Sequence, residues 1–182
     1  MELVTLNNGQ RSKALERLTT QTPKDTTDKI LITLNSIISY EEKLNKDYSL
    51  HSYKLVGDNS DDKIEEANRI ISLAMVTLPL DQMHQALHKC TLVMVKPSQE
   101  TPADVALRIR AIADGLSDFP ADIFLYAVDH IAKTKTWFPS LAEYRMAGEF
   151  HFKKRKMLYE MMQNNTKTTN LIDFSFAKVQ YK

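Results

Sequence analysis

Hydrophobic positions recur every three or four residues along most of the chain, which is the spacing of one face of an α-helix. One such stripe includes Ile30, Leu34 and Ile38, and a later one includes Val105 and Ile109. Glycine and proline are few, at four and six residues, whereas turn-rich β architectures need more of both. We therefore predict an all-α protein, a helical bundle of about six helices.

Helix-start patterns support this prediction. Thr101 followed by proline and an acid three residues later is typical of an N-cap with a favourable first turn. Ser60 begins a second such segment, and Asp122 after Pro120 is interpreted as a first-turn acid that favours the positive helix start. Ser140 precedes Glu143 by three residues, the spacing of a capping box.

These patterns divide the chain into four parts. Residues 1–25 are predicted to form a flexible N-terminal segment, and residues 26–97 a helical part whose first helix ends near residue 47, before a loop over 48–59. Residues 98–162 are predicted to form a three-helix C-terminal bundle, whose last helix begins near Leu141. Residues 163–182 are predicted to be a flexible tail with a short apolar patch.

Composition narrows the class of protein. The chain has 182 residues, of which 43% are hydrophobic, enough for one domain with a real core. Its apolar runs reach about nine residues, whereas a membrane span needs roughly 20. A single cysteine and the lack of a signal-peptide pattern favour a reducing interior. We predict a cytoplasmic protein that does not bind a membrane.

The net charge of +1 conceals an uneven distribution. Residues 60–132 hold six basic and eleven acidic side chains, whereas residues 133–182 hold ten basic and four acidic ones. Basic clusters interleaved with aromatic rings bind phosphate backbones or acidic protein surfaces. We therefore predict a surface that contacts a protein partner or DNA, positioned by Trp137 and Phe138. Its charged members are Arg145, Lys153, Lys154, Arg155 and Lys156.

Patterns typical of catalysis are weak. Four scattered glycines build no phosphate-binding loop, and Cys90 falls on an apolar helix face typical of core positions. His84 and His88 are four residues apart, a spacing that binds zinc when a third ligand is present. We predict no enzyme activity, no cofactor and no small-molecule substrate. An enzyme with a metal at the two histidines stays an alternative.

The segment "KTWFPSLAEYR", residues 135–145, follows a helix and joins it to the next. With the preceding helix, this aromatic-aromatic-Pro-Ser-x-Ala-Glu-x-Arg pattern resembles part of phage-encoded replication proteins, in particular small loaders of replicative helicases. The resemblance covers about 45 residues and implies a non-catalytic accessory protein in the cytoplasm of a bacterial host cell, which binds a hexameric replicative helicase and helps to place it on DNA. Two alternatives stay open: a small helical DNA-binding regulator, and a helical adaptor or inhibitor of a host protein.

Overall fold

A computed structural model describes residues 6–95 and 99–177, with side chains up to residue 164. The described chain is mostly helical, as predicted, and it also contains one small sheet. In chain order the elements are α1 Asn8–Thr19, α2 Pro23–Ile37, β1 Tyr40–Leu44, β2 Leu50–Leu55, α3 Asp61–Ala74, α4 Leu80–Leu92, α5 Pro102–Gly115, α6 Ala121–Thr134 and α7 Leu141–Ala177.

The predicted start of α5 is confirmed in detail. The Thr101 hydroxyl accepts a hydrogen bond from the Asp104 amide at 3.2 Å, and the Asp104 carboxylate accepts one from the Thr101 amide at 2.9 Å. This reciprocal pair is a capping box, which satisfies two amides that the helix leaves without partners. A threonine also begins α2: the Thr22 hydroxyl caps the Asp25 amide, so this helix starts before the predicted residue 26.

The prediction of a flexible N-terminal segment is wrong for most of its length. Residues 8–19 form α1, whose first turn is closed by a capping box between Asn7 and Gln10. Ala14 and Leu18 are both buried. Their spacing of four places them on one face, and burial of that face stabilises a helix too short to persist alone.

A β-hairpin replaces the second half of the first predicted helix. β1 pairs with β2 in antiparallel fashion, with Glu42 opposite Tyr53. Tyr53 is buried and its ring meets Tyr40 edge-on at 5.7 Å between centroids. The helix that was predicted to reach residue 47 therefore stops before Ile38, which is its C-cap. Beyond that point the tertiary contacts of Tyr53 favour the hairpin.

Two short backbone pairings align α4 with α6. The Ala121 amide donates to the Val76 carbonyl at 2.9 Å where both helices begin. The Val95 amide donates to the Thr136 carbonyl at 2.9 Å where both helices end. The two helices therefore run side by side in the same direction, and an open groove of about 760 Å³ lies between them.

The core consists of two clusters of buried side chains joined by α7. The first contains side chains of α1 and α4–α6, and α7 contributes Tyr144 and Phe152 to it. The second contains side chains of α2, α3 and β2, together with Leu158 and Met162 of α7. One long helix therefore packs on both clusters.

The helical backbone of α7 continues to Ala177, through most of the segment predicted as a flexible tail. The side chains of its apolar patch and residues 178–182 lie outside the described part of the chain. None of the helices in the described residues combines the length and apolarity of a membrane span.

Candidate partner-binding site

An exposed apolar patch lies where α4 and α6 end. Its members, which we call the end patch, are exposed to 69% at Leu92, 72% at Val93, 46% at Val95 and 61% at Trp137. Large apolar side chains exposed together mark interaction surfaces more often than isolated ones do. Val93 also lines the groove between α4 and α6, so the groove opens onto the patch.

The backbone beneath the patch is fixed. Val95 forms a bridge with Trp137, in which the Phe138 amide donates to the Val95 carbonyl at 3.3 Å. Phe138 itself is buried, and the Arg108 guanidinium lies over its ring at 5.3 Å from the centroid. Phe138 therefore anchors the segment, whereas Trp137, which was predicted to share this positioning role, faces solvent.

The junction between Trp137 and α7 contains half of the predicted capping box. The Glu143 carboxylate accepts from the Ser140 amide at 3.0 Å and from the Ser140 hydroxyl at 3.1 Å. The Glu143 amide pairs with the Ser140 carbonyl rather than with the hydroxyl. The Lys135 Nζ atom lies 2.8 Å from the Glu143 carboxylate. The hydrogen bond from Lys135 has the largest effect on the pKa of Glu143 and that from the Ser140 amide the second largest, and the pKa is lowered to about 2.

Arg145 is held by its own chain. Its guanidinium donates to the Gly115 carbonyl and to the Asp118 carboxylate, both at 2.9 Å, and lies over the Phe119 ring. These contacts fasten α7 to the end of α5. They also reduce the capacity of Arg145 to bind an acidic or phosphate group of a partner.

The predicted basic cluster separates into exposed and buried members. Lys153 and Lys156 are exposed, Lys154 is half-buried, and Lys156 lies 3.9 Å from Glu160. Lys153 shares the outer side of α7 with Met146 and Phe150, which are also exposed. This side therefore presents Lys153 and the exposed Glu149 beside two large apolar groups.

Arg155 cannot belong to the predicted contact surface, because its side chain is fully buried. Its guanidinium pairs with both oxygens of Asp122 at 2.7 Å and donates to the Ala74 and Pro23 carbonyls and the Thr27 hydroxyl. Asp122 is equally buried, so its interpretation as a helix-start acid is incomplete. The pair joins α2, α3, α6 and α7.

Sequence reasoning missed three members of the end patch. Leu92, Val93 and Val95 belong to the apolar run "LVMV", of which only Met94 is buried. Four successive apolar residues cannot all lie on one helix face. That mismatch was the sign that some of them face solvent.

In the part of the chain that the structure describes, the two histidines of the alternative zinc site gain no third ligand. His84 is partly buried, with its Nε2 atom enclosed and without a hydrogen-bond partner, whereas His88 is exposed. Among the described residues, no group of three histidine, cysteine or acidic side chains is arranged to hold a metal ion. The local geometry therefore offers no support for the metalloenzyme alternative.

No protein-family model, curated protein or solved structure matches this chain. The features of the chain that bear on its function are therefore the end patch and the motif around Trp137.

Proposed function

We propose that this protein is a non-catalytic replication accessory protein of the helicase-loader kind, acting in the bacterial cytoplasm. The end patch carries the proposal. Tryptophan is enriched among the residues that dominate protein-protein binding energy. Here the only tryptophan of the chain is 61% exposed on a segment that two backbone hydrogen bonds hold in place. A rigid segment loses little conformational entropy on binding.

The adjoining groove supports a helix as the element that the partner contributes. Its floor includes Ala86 and Val128, and its rims carry polar side chains such as Gln82 and Asp129. Grooves of this kind accept the apolar face of an amphipathic helix. We propose that a helix of the replicative helicase lies in the groove and ends on Trp137.

The direct test is binding to a purified hexameric replicative helicase, measured by sedimentation velocity. We expect Trp137→Ala to weaken binding at least about tenfold, as loss of a dominant interface residue does. Tyr48→Ala is the matched control, since Tyr48 is an exposed aromatic in the hairpin turn. Absence of binding by the natural chain would refute the loader proposal. Equal effects of the two variants would refute the end patch as its site.

A helical adaptor for another host protein is a second candidate, because the end patch suits protein partners in general. Site-specific photocrosslinking from position 93, compared with position 48, separates the two. A helicase subunit as the product specific to position 93 supports the loader, and a different single protein supports the adaptor.

DNA contact is proposed through Lys153, Lys154 and Lys156 only. A DNA-binding regulator is less favoured, because Arg155 is buried and Arg145 is already paired. Mobility-shift titrations at two salt concentrations test it. Tight binding that depends on DNA sequence would favour the regulator, whereas weak and salt-sensitive binding suits an accessory protein.

A further inference from the structure

A second concave site, independent of the end patch, lies between α1, α2 and α3. This cationic groove has a volume of about 390 Å³, within the range of small-molecule sites. Its floor is apolar and is formed by Leu18 of α1, Ile30 of α2 and Leu73 of α3. The floor residues come from three helices, so the groove exists only in the folded chain.

The rim of the cationic groove carries one sign of charge. Lys13, Arg17, Lys29 and Arg69 line it, and no acidic side chain among the described residues does. Arg69 is already neutralised by Glu66, which it meets with two hydrogen bonds of 2.7 and 2.6 Å. Lys13, Arg17 and Lys29 have no ion-pair partner among the described residues.

The three unpaired rim cations approach the cationic groove from two helices. Lys13 and Arg17 are four residues apart on α1, so they stand on one side of that helix. Lys29 approaches the groove from α2, so the cations flank the apolar floor from two helices.

We propose that the cationic groove binds a small organic anion with an apolar body, such as an aromatic or aliphatic carboxylate, sulfonate or phosphate. The apolar floor takes the body, and the three cations take the anionic group through charge-assisted hydrogen bonds. Arg17 offers the forked donor geometry that matches planar oxyanions. The volume suits one compact ligand better than a peptide or a nucleic-acid strand.

The test is a fluorescence titration of the full chain with 8-anilinonaphthalene-1-sulfonate. The neutral control ligand is N-phenyl-1-naphthylamine, which has the same rings without the sulfonate. The groove variant is Lys13→Gln/Arg17→Gln/Lys29→Gln, and the matched control is Lys43→Gln/Lys46→Gln/Lys54→Gln in the exposed hairpin. All the substituted side chains are exposed, so both variants are expected to fold, which their circular dichroism checks.

We expect the groove variant to bind the sulfonate at least about tenfold more weakly, with the hairpin variant unchanged within about twofold. The neutral ligand should also bind at least about tenfold more weakly than the sulfonate. Methyl NMR shifts at Leu18, Ile30 and Leu73 should respond to the sulfonate in the natural chain.

Equal binding by the two variants, or equal binding of the charged and neutral ligands, would overturn the proposal. Methyl shifts confined to other parts of the molecule would do the same. Displacement of the dye by a glutamate-rich peptide or an oligonucleotide, but not by dodecanoate, would replace the small anion with a macromolecular ligand. Displacement by dodecanoate supports the proposal.

Discussion

At the residue scale, Arg155 differs most from its prediction, because it was expected on the surface and is fully buried. It stands in a run of four basic residues, which suggests a charged surface, yet it also follows Phe152 by three residues and precedes Leu158 by three. That spacing belongs to the buried face of α7. The helical period therefore predicts its burial better than its charge predicts exposure. Its partner Asp122 could not be identified from the sequence, because 33 residues separate the two.

Loss of the Arg155 guanidinium should destabilise the protein strongly. Arg155→Met leaves the Asp122 carboxylate buried without its cation, a change that costs roughly 3–5 kcal/mol. Lys156→Met is the control, since Lys156 is exposed and lies 3.9 Å from its acidic neighbour. Urea unfolding measures both. Arg155→Met/Asp122→Leu should recover part of the loss, and equal stability of the two single variants would contradict the role of the pair.

His151 should make stability fall on acidification. Burial, followed by the positive charge of Arg155, lowers the pKa of His151 below its ordinary value. As the pH falls through about 6.5, His151 therefore binds a proton in the unfolded chain before it does so in the folded chain. The free energy of unfolding should decrease from pH 7.5 to pH 5.5, and His151→Gln should reduce that decrease. His51→Gln, at an exposed hairpin position, should leave it unchanged. An equal decrease in both variants would contradict the prediction.

At the element scale, local patterns identified helix starts more reliably than helix ends or the sheet. Thr101 and Asp104 form reciprocal hydrogen bonds within one helical turn, so the local sequence is enough to predict this helix start. The hairpin depends on Tyr53 reaching a core built from distant helices, which no local pattern encodes. Similarly, the end patch exists because Val95 pairs with Trp137, 42 positions later in the chain. The sequence singled out Trp137 and Phe138, but the opposite burial of the two depends on these tertiary contacts.

The close packing of α7 on Phe119, which lies in the loop before α6, leads to a specific prediction at Gly148. A Cβ atom there would lie 2.5 Å from the ring of Phe119, which is fully buried and packed against Phe152. Gly148→Ala should therefore destabilise by about 1–3 kcal/mol, although alanine normally favours a helix over glycine. Gly9→Ala is the control, since its Cβ would meet only Asn7 at 3.4 Å. Urea unfolding compares them, and stabilisation by Gly148→Ala would refute this close packing.

At the scale of the whole molecule, the two buried clusters differ in size. The first cluster has 22 buried members and the second has ten among the described residues. A small cluster holds little apolar area, so its stability depends on its connection to the larger one. That connection includes α7, which packs on both, Arg155, which links α2 and α3 to α6, and the packing of α1 on α3. The sequence predicted α7 but not its bridging role, because that role depends on tertiary contacts.

Unfolding of the natural chain should therefore be a single cooperative transition. Trp137 fluorescence reports on the first cluster, because Phe138 beside it is a buried member. Hydrogen exchange of α3, whose Ile71 is fully buried, reports on the second. In urea the two probes should give the same midpoint, as two-state unfolding requires. Different midpoints in the natural chain would show that α7 does not couple the clusters.

Arg155→Met should separate the two midpoints, with exchange in α3 beginning at a lower urea concentration than the change in Trp137 fluorescence. The reason is that the substitution removes the hydrogen bonds to Ala74 and Pro23, which tie α3 and α2 to the rest of the core. Gly148→Ala disturbs only contacts with Phe119 and Ile123 of the first cluster. It should therefore lower the stability, but exchange in α3 should not begin at a lower urea concentration than the change in Trp137 fluorescence. If both variants keep coincident midpoints, Arg155 contributes stability but no coupling between the clusters.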